Sequence, residues 1–183
     1  MKKPALSSID VEKCLKEVVM LLRHSSMQKK RVAMDIECGC PDARILADDE
    51  QIRQVFLNIV INACEAMEPH STLSIKITDV NTQLDEEGVE ENCIRIDFEN
   101  DGPSIPVDVL PRLFEPFFTT KEGGTGLGLA IAARIIESHR GQIKVESSEG
   151  SSTVFSVLIP VRAEQLEQEY PERVEVLQTF ACI

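Results

Sequence analysis

The chain has 183 residues, 43% of them hydrophobic and 27% charged, and a formal net charge of −12. That length suits one domain of ordinary size. The acid surplus argues against non-specific nucleic-acid binding, and no apolar run nears the roughly 20 residues that span a bilayer. The N-terminus lacks a signal-peptide core, so a cytoplasmic location is expected, compatible with a membrane-anchored parent. On so acidic a chain, a polyanionic ligand must be held by backbone N–H groups and a metal ion rather than by a basic field. Six cysteines are present, and only Cys38 and Cys40 lie close together. With no second pair at zinc spacing, reduced thiols are expected.

In chain order, Ile9 to about His24 carries a helical apolar stripe with Asp10 near its start. Arg31 to Ile36 reads as a strand and Gly39–Cys40–Pro41 as a turn. Asp48 and Asp49 open a second helix, marked by Ile52, Val55, Phe56, Ile59, Val60, Ala63 and Met67 and stopped by Pro69. Leu73–Thr78 and Ile94–Phe98 alternate as two antiparallel strands, with Asp79–Asn92 expected as a solvated hairpin loop. Asp101 to Gly124 holds four prolines and no period, a long loop of the kind that usually carries function. Thr125 to about His139 reads as a third helix ended by Gly141. Gln142–Glu146 and Thr153–Ile159 form a last strand pair. These elements predict an α+β two-layer sandwich, three main helices on a mixed, mostly antiparallel sheet, over residues 1–160. Residues 161–183 read as a tail of unknown role.

Three stretches carry chemistry. Asn58 and Asn62 are one turn apart on a single helix face. Their amides need partners or a metal, and an Asn carbonyl oxygen suits Mg²⁺; capping of nearby loops is the structural alternative. Asn100–Asp101–Gly102–Pro103 follows a strand. It is either a plain Asx-Gly turn or an acceptor for an exocyclic amine such as that of adenine, with Gly102 leaving room for a flat ring. Gly123–Gly124–Thr125–Gly126–Leu127–Gly128–Leu129 precedes a helix, either as a hinge or as a phosphate cradle at a helix N-terminus. It is no Walker loop, because no Gly–Lys–Ser/Thr follows.

These stretches, with Phe114–Glu115–Pro116–Phe117–Phe118–Thr119–Thr120–Lys121, resemble the N, G1, F and G2 boxes of the ATP-binding catalytic domain of sensor histidine kinases. That superfamily, with the Bergerat nucleotide fold, includes gyrase, Hsp90 and MutL. The wording is nearest to kinases of the nitrogen-regulation type, and Gly150–Phe155 resembles the closing G3 element. The resemblance implies ATP and Mg²⁺ as cofactors. It makes Asn62 the metal ligand and Asn58 a catalytic residue beside the triphosphate that helps to place the metal shell. Gly124, Thr125, Gly126, Leu127, Gly128 and Leu129 would meet the phosphates. Asn100, Gly102, Ile105 and Thr153 would serve the adenine end. Residues 101–124 would be the ATP lid, with Thr119, Thr120 and Lys121 facing the nucleotide and Phe114, Phe117 and Phe118 packing it to the body. Lys121 either reaches the γ-phosphate or is a solvated lid charge.

The chain departs from the family at Asn100, where an Asp is usual, and at Ser104 and Ser152, where glycines are usual. Either Asn100 or Asp101 could read the adenine amine. None of His24, His70 and His139 sits in a phosphoacceptor setting. The resemblance therefore implies a protein-histidine kinase that transfers the γ-phosphoryl group to a histidine on a separate dimerisation domain of a homodimeric parent. A response regulator receiver domain would be the downstream partner, with no nucleic acid involved. A nucleotide-gated regulator on the same fold, non-catalytic or an anti-sigma-type Ser kinase, is the alternative.

Overall fold

The computed structural model describes residues 5–23, 30–84, 90–148, 150 and 152–161. His24 and residues 162–183 of the expected tail lie outside them. Three helices lie on a mixed, mostly antiparallel five-stranded sheet, as the sequence pattern implies.

Strand β1 (Ser7–Asp10) leads directly into helix α1 (Val11–Arg23). Asp10 caps that helix, its Oδ1 accepting from the Lys13 N–H at 2.9 Å,. After β2 (Ala33–Cys38), strand β3 (Arg44–Ala47) pairs antiparallel with β1 as a small separate sheet. Neither β1 nor β3 is anticipated from the sequence. Each has four residues, too few for a period to emerge, and Ile9 mimics the first position of the α1 stripe. Helix α2 (Asp49–Ala66) then carries the Asn pair.

The main sheet has the order β2-β4-β5-β7-β6, from β4 (Thr72–Gln83), β5 (Glu90–Asn100), β6 (Gln142–Ser147) and β7 (Thr153–Pro160). The β2–β4 pair is parallel and the others antiparallel. The expected loop Asp79–Asn92 is partly strand: the β4–β5 ladder continues from Asp79↔Ile94 to Gln83↔Glu90, and residues 85–89 of that stretch lie outside the described residues. Beyond Thr78 strand β4 has no fully buried position, so the apolar residues that mark a half-buried strand give out while the backbone pairing persists. Val161 extends the sheet by donating to the Asn92 carbonyl at 2.7 Å.

Register explains how the sheet makes a site. One cross-strand row holds Ile77, Ile96, Val157 and Ile143, and the next Ile75, Phe98, Phe155 and Val145. These pack under the helices, with Phe98 meeting Phe56 of α2 at a ring separation of 6.0 Å. The third row is Leu73, Asn100, Thr153 and Ser147. The helix-facing surface thus turns from apolar to polar at one end.

Both ends of α2 are secured from elsewhere in the chain. Its N-cap Asp48 accepts from the Gln51 N–H at 3.1 Å, and its last turn has no basic residue of its own. Lys30 supplies the cation, with Nζ 2.8 Å from the Glu65 and Met67 carbonyls,. Helix α3 (Gly128–Ser138) ends at His139, which is buried. One ring nitrogen donates to the Ile135 carbonyl at 2.8 Å, and Nε2 accepts from the Asp48 N–H at 3.1 Å. His139 therefore fixes the C-terminus of α3 to the N-terminus of α2.

Candidate functional site

Helix α2 buries Ile52, Val55, Phe56, Ile59, Val60, Ala63 and Cys64. Asn58, Ile61, Asn62 and Glu65 are left on the face that lines a cleft of about 240 Å³. The opposite wall comes from the start of α3 and the end of the loop that precedes it: Thr119, Thr120, Lys121, Gly124, Thr125, Gly126, Gly128 and Leu129. Ten of the residues expected from the sequence thus converge on one cleft.

Helix α3 begins later than expected, at Gly128 rather than Thr125. Gly126 is the reason. Its φ is +65°, and a Cβ there would lie 2.5 Å from the Phe117 carbonyl carbon. Only glycine fits, and a residue in that conformation cannot continue a right-handed helix. The Gly126 carbonyl accepts from the Phe117 N–H at 2.9 Å, which closes the loop against the helix entry. The first-turn N–H groups of any helix lack intrahelical acceptors, and no side chain caps those of α3, which leaves at the cleft a helix end of the kind that suits anions.

Asn58 joins the two walls, its Nδ2 donating to the Gly128 carbonyl at 2.9 Å. Lys121 joins the loop to α2. Its Nζ donates to Asn62 Oδ1 at 2.9 Å and to Glu65 Oε2 at 2.7 Å. Lys121 is therefore ion-paired at the cleft while remaining partly accessible to solvent. Glu65, an acidic residue one turn after Asn62 whose facing the sequence leaves open, lines the cleft. Its position three residues after Asn62 places it on the same helix face. Leu113 and Phe118 also line the cleft, and the Arg112 guanidinium stacks on the Phe118 ring at 4.2 Å. Phe114 packs against the core edge. Phe117 does not pack the loop to the body: it is 76% exposed, because its left-handed backbone (φ 68°) directs its N–H to Gly126 and its ring outward.

The other expected residues form a separate polar network at the end of the sheet. Asn100, only 3% exposed, donates through Nδ2 to the Thr153 carbonyl at 3.3 Å and accepts the Gly102 N–H at 3.2 Å. Thr153 Oγ1 lies 2.7 Å from Ser147 Oγ, which accepts from the Ile105 N–H at 2.9 Å. Asp101 and Gly102 line a shallow hollow with Pro103, Ser104, Gly150 and Ser152. Leu127 sits at the N-cap of α3.

The cleft can therefore hold an anion on backbone N–H groups beside an oxygen that already receives a cation. Among the described residues no cluster of three His, Cys, Asp or Glu could hold a metal alone. A hard cation here would rely on the Asn62 oxygen together with oxygens of its ligand, a donor set that suits Mg²⁺.

Residues 47–163 match the family described as histidine kinase-, DNA gyrase B-, and HSP90-like ATPase. Sporulation kinase E of Bacillus subtilis is 34% identical over 163 residues, covering 88% of this chain and 21% of that protein. Sensory histidine kinase/phosphatase NtrB of Escherichia coli O157:H7 is 38% identical over 153 residues, covering 83% of this chain and 43% of that protein. The chain thus spans less than half the length of these relatives. The catalytic domain of histidine kinase ThkA superposes with a TM-score of 0.71 at 33% identity, covering 85% of this chain and 95% of that one. ThkA in complex with the response regulator protein TrrA also matches, with a TM-score of 0.68 at 29% identity, over 87% of this chain and 42% of that one. Family match, relatives and fold agree: the chain belongs to the histidine kinase-, gyrase B- and HSP90-like ATPase family, and its relatives within it are sensor histidine kinases.

Proposed function

We propose that this chain binds Mg-ATP and passes the γ-phosphoryl group to a histidine on a separate dimerisation element of its parent. The observation that carries the reading is the cation on Asn62: an ammonium already rests 2.9 Å from Oδ1, beside the N-terminus of α3. Asn62 Oδ1 is the residue oxygen to hold the metal. Mg²⁺, when bound, supplies charge neutralisation on the phosphate oxygens. Asn58 keeps its Oδ1 for the metal's water shell while its Nδ2 stays on Gly128.

The backbone of Gly124, Thr125, Gly126, Leu127, Gly128 and Leu129 offers N–H groups to the triphosphate. Thr119, Thr120 and Lys121 close over it, with Phe114 anchoring the lid. Lys121, once displaced from Asn62, is free to pair with phosphate. The base lies toward the Asn100, Gly102, Ile105 and Thr153 network. There Asn100 Oδ1 is engaged by Gly102, while Asp101 faces the hollow and offers a carboxylate to the adenine amine. The cleft is smaller than the roughly 300–1,000 Å³ of typical small-molecule sites, so the lid must swing out to admit the nucleotide.

Residues 1–160 are proposed to act as one catalytic domain. The ThkA–TrrA complex supports a response regulator as the downstream partner, in a homodimeric parent. Among the described residues no helix is long and apolar enough to cross a membrane.

Calorimetry with a non-hydrolysable ATP analogue tests the reading. Binding should strengthen with Mg²⁺, and Asn62→Ala should remove that metal-dependent part. Magnesium-independent binding in the unsubstituted chain would overturn the metal assignment. Absence of phosphohistidine on the parent's two-helix element, with Mg-ATP supplied, would overturn the transfer.

A further inference from the structure

Away from the nucleotide cleft, β2 ends in Cys38–Gly39–Cys40. The two sulfurs lie 3.3 Å apart. Both side chains are partly exposed, whereas Cys14, Cys64 and Cys93 are buried. Cys38 is the last residue of β2 in register with β4, opposite Ile77, and Gly39 donates to the Ile77 carbonyl at 2.9 Å. Cys40 lies beyond that bond, in the turn before Pro41, and can move without breaking the sheet.

We propose that Cys38 and Cys40 form a dithiol site that reacts with small disulfides and closes into an intramolecular disulfide. A disulfide is about 2.0 Å long, so the sulfurs need to approach by only roughly 1 Å. The Cys38 thiolate attacks one sulfur of the small disulfide; the S–S bond breaks, and the departing thiolate takes a proton from solvent. Cys40 then loses its proton to solvent and attacks the Cys38 sulfur, expelling the second small thiolate. Two protein thiols are oxidised and one disulfide is reduced to two thiols.

The order of attack follows from the surroundings. Burial, followed by the contact with Cys38, pushes the Cys40 thiol up to about 12. A ring closed across one intervening residue is strained and readily reduced, so the site is reversible. None of this depends on the nucleotide reading.

The test uses the full chain with Cys182→Ser, so that residue cannot contribute. The protein is equilibrated in glutathione buffers of graded poise, quenched in acid, alkylated and mapped by mass spectrometry, with a urea-unfolded control. The folded chain should form the Cys38–Cys40 disulfide at least roughly tenfold more favourably than the unfolded chain. In Cys40→Ser, Cys38 should stop at the mixed disulfide with glutathione. Two outcomes would overturn the proposal. One is that both thiols remain alkylatable at a poise that oxidises the unfolded chain. The other is that glutathione stays on Cys38 while Cys40 is intact.

Discussion

The Nζ of Lys121 is 2.9 Å from the Oδ1 of Asn62, so the lid is fastened to α2 at the very oxygen proposed to take the metal. Glu65 Oε2, 2.7 Å from the same nitrogen, completes the latch. On the proposed reading, metal and ammonium would compete for one acceptor, and that competition would couple loading of the cleft to release of the lid.

The latch is a half-exposed pair, with Lys121 and Glu65 side chains 37% and 50% accessible. Such pairs contribute about 0.2–1 kcal/mol. Glu65→Gln should therefore speed hydrogen exchange of lid amides in the nucleotide-free chain by no more than about fivefold. Unchanged exchange across residues 110–125 would show that the contact does not hold the lid.

Gly126→Ala places a methyl group 2.5 Å from a backbone carbon in a left-handed conformation. The strain is about 1–3 kcal/mol and falls on the lid's junction with α3. Nucleotide affinity should drop roughly tenfold or more, while far-UV circular dichroism stays that of the parent chain. Wild-type affinity would mean that this junction does not shape the phosphate end.

His139→Leu leaves the Asp48 N–H and the Ile135 carbonyl without the ring nitrogens that now engage them. Losing buried partners of this kind costs about 1–3 kcal/mol. Urea unfolding should show that loss as a lower midpoint with an unchanged slope. A variant as stable as the parent would remove His139 from the α2–α3 junction.

Acidification should act through Asp48. The Ala5 N–H, then the Gln51 backbone and side-chain donors, hold its carboxyl below the usual range. The folded value lies below the unfolded one, so its contribution is complete above the unfolded value of about 3.9 and is lost as pH falls through the lower folded value. Asp48→Asn should flatten the fall of stability with acid relative to the parent chain. Parallel acid profiles would assign that fall to other carboxylates.

Local patterns made much of the site legible. The Asn58/Asn62 spacing placed both amides on one face of α2, and the glycines before α3 marked a helix entry open to anions. Each signal needs only a helical repeat or a backbone conformation, both properties of neighbouring residues. The β1–β3 pair was invisible because four-residue strands show no period. The outer end of the β4–β5 ribbon was invisible because β4 beyond Thr78 and β5 before Cys93 have no fully buried residue to mark a strand face. Phe117, grouped with the lid's anchors by its aromatic neighbours, turns outward because its backbone conformation outweighs its hydrophobicity.

By itself the order of residues determined the helices, the strands that pack beneath them and the types of group the cleft would use, since hydrophobic period and glycine placement are written along the chain. Only the folded arrangement decided who partners whom. Lys121 meets Asn62 across 59 positions, His139 meets Asp48 across 91, and Asn100 meets Thr153 across 53. Hydrogen bonds over such separations depend on sheet register and helix packing, which no local pattern encodes.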